Sequence, residues 1–176
     1  EDRFIDAIIN IPEMRKGTGR FMAVMDGQGG QFAVSYVHRK LLPYFKKAMI
    51  KQAGDAESAF KLVVAALHEK TKEFDSGTTL SMVYIPEGAQ TAIVSILGDS
   101  PVSVLDQYGV HVISPEHNLL NHRSERHLVA EKGGAFDCKG YLLQEKDNPE
   151  STRIGISRVL GQARFGQYLI RNPDVY

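Results

Sequence analysis

From Gln31 to Met49 the apolar residues Val34, Val37, Leu41, Leu42, Phe45 and Met49 return every three or four positions, and strand-like runs flank them on both sides. That period lays one apolar stripe along a helix, and a helix of this kind needs a sheet face to cover. Pro43 marks a kink or restart point within it. A second helix is expected from about Asp55, with Phe60, Val63, Val64, Leu67 and Phe74 on its apolar face and "QAGDAES" supplying the stop and the cap. Upstream, "RFIDAIIN" and "RFMAVMD" read as strands, the second buried on both sides, with Pro12 and "KGTG" turning the chain between them. Downstream, "TTLSMVYIP", "TAIVSIL", "PVSVL" and "VHVIS" are separated by "EGAQ", "GDS" and "DQYG", which is the punctuation of an antiparallel meander. "RSERHLVAEKGG" predicts a short helix capped by Ser124 and stopped at Gly133. Short strands near "GYLLQ" and "TRIGIS" follow, around the polar loop "EKDNPES". Two helices between β segments on both sides predict an α+β fold, an antiparallel sheet covered by helices, in one domain over residues 1–176.

Composition narrows the function classes. The formal net charge is +0, with no basic run longer than pairs such as Lys46-Lys47, which argues against nucleic acid held by bulk electrostatics. Hydrophobic residues at 43% and charged residues at 24% fit a globular chain of 176 residues. No apolar run approaches the ~18 residues of a membrane span. The single cysteine, Cys138, cannot close an intrachain disulfide, which favours a reducing, cytoplasmic setting. The sequence opens on Glu1-Asp2-Arg3 without Met, so a longer parent is expected.

The chemistry concentrates in "FMAVMDGQGGQFAVSYV", where an apolar strand ends at Asp26 and Gly27, Gly29 and Gly30 follow. Glycines let a backbone approach a ligand and turn a carbonyl inward, and a carboxylate beside such a carbonyl suits a hard cation such as Mg²⁺ or Mn²⁺. An aspartate capping a helix from a glycine-rich turn explains the same residues. Neither the ending of a phosphate-binding Walker loop nor the glycine spacing of a dinucleotide site is present. Glu1 and Asp2 are two acids just before a strand, and Asp99 in "LGDSP" sits where an Asp-Ser turn belongs. Histidines His38, His68, His111, His117, His122 and His127 lack the i, i+4 pair of a helical zinc site and are expected as exposed loop and helix residues. Cys138 has no activating neighbour in the sequence.

Together the motifs form a series: "ED", "FMAVMDGQGG", "SGTTL", "GDS", "SPEHN", "ERHLVAEKGG", "ISRVLG" and "NPDVY". This order and spacing resembles the metal-dependent PPM/PP2C protein phosphatases over nearly the whole chain. The resemblance implies an αββα sandwich of two antiparallel sheets flanked by helices, incomplete at the C-terminus. It implies hydrolysis of phosphoserine and phosphothreonine by a water activated between two Mn²⁺ or Mg²⁺ ions, with a phosphoprotein substrate or a regulatory protein partner. On that basis Asp26 bridges the metals, Gly27 offers its carbonyl, Glu1 and Asp2 form the acidic pair with Glu1 the ligand, and Asp99 helps hold a third metal.

Three departures bear on activity. Gln28 stands where many family members carry a histidine that protonates the leaving group. An amide cannot do so, a loss on the order of 10²–10³-fold in rate. Gln162 in "SRVLGQ" stands where an acid is usual, and Pro101 replaces an arginine after "GDS". The family's later "DG" and "DN" aspartates have no counterpart before Tyr176, so weak or absent hydrolysis is expected of this chain by itself. A pseudophosphatase acting as a docking or regulatory module is the alternative, and a purely structural domain with "DGQGG" as a turn is the third. "CKGYLLQEKDNPESTR" is a candidate flap by position. Substrate identity and oligomeric state have no signal in the sequence.

Overall fold

The computed structural model describes residues 1–14, 17–148 and 150–176. Lys16 of the "KGTG" turn and Pro149 of the "EKDNPES" loop lie outside them. In chain order the elements are β1 (Arg3–Ile9), β2 (Gly19–Met25), β3 (Gly27–Gln28), α1 (Phe32–Lys51), α2 (Ala56–Thr71), β4 (Gly77–Thr78), β5 (Leu80–Pro86) and β6 (Ile93–Leu97). There follow β7 (Ser103–Leu105), β8 (His111–Ile113), α3 (Arg123–Glu131), β9 (Leu142–Leu143), β10 (Arg153–Ile154), β11 (Leu160–Gly161), a 3₁₀ turn at Ala163–Phe165 and β12 (Asp174–Val175). The expected α+β class is the observed one, with antiparallel sheets and three α-helices among the described residues.

The main sheet runs β1-β2-β5-β6-β12, every neighbour antiparallel. Helices α1 and α2 cover one of its faces. Phe21, Phe45, Phe60 and Tyr84 meet there, with Phe45 4.7 Å from Phe21, 5.2 Å from Phe60 and 5.3 Å from Tyr84 between ring centroids. Rings at these separations add to the burial of their area. A second apolar cluster, around Leu119, Val129, Leu142, Val159 and Phe165, fastens α3 and the β9–β10 hairpin. No helix among the described residues is long and apolar enough to cross a membrane.

Several local expectations change. β2 is buried on one side only: Phe21, Ala23 and Met25 face the helices, while Val24 points away and is exposed. Phe4 and Ile8 share that outer face and are 74% and 73% exposed. The four downstream strands form two hairpins instead of one meander. The turn at Gly98 (φ +121°) carries the chain out of the sheet, Pro101 has no N–H to extend a ladder, and β12 takes the place beside β6. Pro43 does not break α1, because it lies on an exposed turn where water can satisfy the carbonyl it leaves unpaired. The cap of α3 is His122, without a side-chain hydrogen bond, and Ser124 lies inside the helix; Gly133 ends it as expected, at φ +86°. Phe74 lies beyond α2, which stops at Thr71, and packs edge-on against Tyr36 at 5.9 Å. Asp55 caps α2 as expected, accepting from the Glu57 and Ser58 amides.

Strands β3, β4 and β11 make a small sheet at the end of the main one. Gly161 in β11 has φ +76°, and a Cβ there would collide with the Ser76 carbonyl oxygen. Gly161→Ala is therefore expected to cost about 2 kcal/mol, from left-handed backbone strain plus the displaced strand, read as a shift in the urea midpoint. An unchanged midpoint would mean that β11 is free to move.

Candidate metal centre

The strand β2 ends where Thr79 takes over its last hydrogen bonds. The Asp26 N–H donates to Thr79 Oγ1 at 3.0 Å, and the Thr79 N–H donates to the Asp26 carbonyl at 2.9 Å. The Thr79 hydroxyl also meets Ser100 Oγ at 3.0 Å, so the end of β2 and the Asp99-Ser100 turn are held as one piece. Gly27 then threads between α1 and the first residue: a Cβ there would stand 2.9 Å from Val34 and 3.1 Å from Glu1. Only glycine fits. The first turn of α1 has no cap from Gln31; instead the Ala33 N–H donates to the buried Ser76 hydroxyl at 3.0 Å.

Glu1, Asp2, Asp26, Gly27 and Asp99 all lie at this end of the main sheet. Glu1 Oε2 accepts from the Gly30 N–H at 3.2 Å. Burial pushes the Asp26 carboxyl above its ordinary range, and the neighbouring Asp2 and Asp99 carboxylates push it the same way. Asp99 is also raised by burial, although the Asn118 amide, donating to Asp99 Oδ2 at 3.2 Å, pulls the other way. Asn118 is itself fixed, because its Oδ1 accepts from the Leu120 and Asn121 N–H groups at 2.8 and 3.3 Å. Among the described residues no three His, Cys, Asp or Glu side chains stand close enough to enclose an ion between them. The donor set fits a hard cation in kind: it consists of carboxylate and carbonyl oxygen atoms, with Asp26 among them and Glu1 and Asp2 on an exposed segment. Gln28 lines a neighbouring cleft with Gln162, and its Nε2 is buried without a hydrogen-bond acceptor among the described residues.

A family model for Protein phosphatase 2C matches residues 1–176. The chain belongs to the protein phosphatase 2C family. Its fold agrees with solved structures of low identity, which speak to fold alone. Serine-threonine phosphatase 2C from Toxoplasma gondii superposes with a TM-score of 0.67 at 16% identity, covering 99% of this chain and 72% of that one. A sex-determining protein of C. elegans gives 0.78 at 21% identity, covering 100% of this chain and 44% of that one. A bacterial serine phosphatase gives 0.56 at 17%, covering 100% and 72%. Among curated proteins no sequence matches significantly. Membership of this family supports a protein phosphatase-type function.

One part of this phosphatase 2C chain was not foreseen. His117, expected to be exposed, is buried, and its Nδ1 accepts from the Gly98 N–H at 3.0 Å. The ring proton therefore sits on Nε2 and is donated to Asp174 Oδ2 at 3.0 Å. Asp174 Oδ1 accepts from Arg158 at 2.8 Å, and Arg158 grips Glu125 with two nitrogens at 2.7 and 3.1 Å. A continuous polar chain thus runs from α3 to the turn that carries Asp99. The signal for it lay in "SPEHN" and "ISRVLG", but partners tens of residues apart cannot be paired from one sequence.

Proposed function

We propose that this chain is a phosphoserine/phosphothreonine phosphatase domain whose metal centre is built on Asp26. The observation that supports it is the gathering of Asp26, Gly27 and Glu1 at one end of the main sheet, where burial and the Asp2 and Asp99 carboxylates raise the Asp26 carboxyl. Asp26 and the Gly27 carbonyl would hold the first Mn²⁺ or Mg²⁺, with Glu1 or Asp2, and Asp99 would serve a further ion. When bound, such ions acidify water and neutralise charge developing on the phosphoryl oxygens. The protein's own share is positional. Thr79 fixes the backbone of Asp26 from both sides, and Asn118 holds the Asp99 carboxylate in one orientation.

Gln28 and Gln162 favour the second reading, a pseudophosphatase that keeps the fold as a docking module. Neither amide transfers a proton at neutral pH, so turnover should be low even with metal bound. The test is Mn²⁺ titration calorimetry beside phosphate release from a phosphothreonine peptide. Binding with slow, Mn²⁺-dependent release supports the phosphatase; binding without release supports the docking module. No binding heat sinks the metal centre altogether. Asn118→Ala is expected to weaken Mn²⁺ binding by about tenfold by freeing Asp99, as loss of an outer hydrogen bond to a ligand does. An unchanged affinity would take Asp99 out of the centre.

A further inference from the structure

We propose that the cleft lined by Gln28, Gln162, Thr152, Arg153 and Arg164 is a subsite for an acidic side chain of the protein substrate, next to the residue whose phosphate is removed. This rests on the phosphatase reading for its ligand, and on the cleft's own chemistry for its selectivity.

The cleft encloses about 280 Å³ and opens beside Gly29, three residues from Asp26. Two guanidinium groups and one carboxylate, that of Asp75, line it, so it carries net positive charge. Its polar groups are mostly donors. Gln28 Nε2 is the most telling of them, since it is buried and has no acceptor among the described residues. A turn of the Gln28 side chain toward the cleft would let a bound oxyanion supply that acceptor.

Both arginines can serve an incoming acid without dismantling the fold. Arg153 pairs with Asp137 at 3.1 Å, but the Lys139 and Tyr141 N–H groups already hold the Asp137 carboxylate, each at 2.9 Å. Arg164 reaches Asp75 at 3.3 Å, and both of those side chains are more than half exposed. An exposed pair such as Arg164–Asp75 exchanges partners at little cost, whereas Asp137, with its side chain 7% exposed, depends on its Lys139 and Tyr141 N–H donors when Arg153 turns to a ligand. Asp75 also shows that Arg164 can present itself to a carboxylate at the mouth of the cleft. Guanidinium groups bind carboxylate and phosphate in the same forked geometry. The subsite should thus accept Glu, Asp or a second phosphorylated residue of the substrate.

Nothing dictates this placement except the fold. Gln162 sits at φ +56°, a left-handed conformation rare for a side chain of its kind, and its amide lies 3.6 Å from the position a Gly29 Cβ would take. With glutamine at 162 and 28, the cleft presents neutral amides where a carboxylate would repel an acidic ligand.

The experiment is fluorescence anisotropy without added metal, using two labelled phosphothreonine peptides that differ only in flanking Glu or Gln residues. Two further peptides carry the same Glu or Gln residues around unmodified threonine. The wild-type chain should bind the Glu-flanked phosphopeptide about tenfold more tightly than the Gln-flanked one. That preference should vanish in Arg153→Gln/Arg164→Gln and grow in Asp75→Asn, where the competing carboxylate is gone. Arg123→Gln/Lys132→Gln, which removes the same charge from α3 and the residue that caps its C-terminus, should keep it. Circular dichroism melts on each variant exclude misfolding. Equal binding of the two phosphopeptides overturns the proposal, as does a preference that the α3 variant loses equally. Mn²⁺-dependent phosphate release is assayed separately. Release without a Glu preference removes the subsite and leaves the phosphatase standing; a Glu preference, shared by the unmodified peptides, without any release does the reverse.

Discussion

Arg158→Met should lower stability by about 3–5 kcal/mol, and the melting temperature by about 10 °C, because it leaves the Glu125 carboxylate buried without its partner. The side chains of Arg158 and Glu125 are 11% and 8% exposed, so water cannot take over the lost interaction. Burial by itself would raise the Glu125 carboxyl, but the hydrogen bonds from Arg158 and Ser157 outweigh it and hold the group below its ordinary range. Asp174 is depressed for the same reason, by His117 and Arg158 against burial. The sign follows. A carboxylate with a depressed folded pKa stabilises the protein above its unfolded pKa, and that stability is lost as pH falls through the folded value. Wild type should therefore lose stability on acidification below about pH 4, and Arg158→Met should lose much less over the same range. Adding Glu125→Leu to Arg158→Met should recover part of the loss, since the more deeply buried of the two stranded carboxylates is then gone. A melting temperature within 2–3 °C of wild type for the single variant, on the order of 1 kcal/mol, would show that the network is solvated in solution.

Asp26→Asn should have opposite effects on metal binding and on the metal-free protein. Mn²⁺ affinity should drop by about 100-fold or more, as expected when a central ligand is removed. The metal-free variant should melt slightly higher than wild type. Here the folded chain holds the Asp26 proton to a higher pH than the unfolded chain does, because of burial and of Asp2 and Asp99. Metal-free wild type thus gains stability as pH falls through that raised value, and the asparagine variant lacks this gain. Mn²⁺ binding in wild type should weaken over the same interval, as protons compete for the carboxylate. Calorimetry at three pH values checks both signs. Full Mn²⁺ binding by the variant would return "DGQGG" to the status of a turn.

The parts of the fold legible in the sequence were those that repeat locally. The apolar stripe of α1, the Asp55 cap of α2 and the β5–β6 hairpin rest on neighbours within a few residues. What escaped depends on distant partners. "RFMAVMD" looked buried on both sides because hydropathy cannot tell a covered face from an uncovered one, and Val24 turned out exposed. "PVSVL" looked like the next strand of a meander, yet the place beside β6 belongs to Asp174 and Val175, about eighty residues later. For the candidate centre, the motif series brought Glu1, Asp2, Asp26, Gly27 and Asp99 to one end of the sheet. It could not reveal that Gln28 and Gln162 line one cleft, or that a histidine of "SPEHN" is the buried brace of the Asp99 turn.

The short strand β12 has a kinetic consequence. It joins the sheet through two residue pairs only, with the Tyr176 N–H and carbonyl both bonded to Val94. Closing so long a loop is entropically expensive and is rewarded late, so this edge should dock after the helical hairpin and the β1–β2 ribbon have formed. It should also open first. In amide hydrogen exchange the Val94 and Tyr176 protons would be lost through local fraying while those of β2 and β5 persist to global unfolding. Since Asp174 belongs to the fraying strand, each such opening briefly unpins His117, so the Asp99 turn would inherit the motion of a strand far from it in the chain.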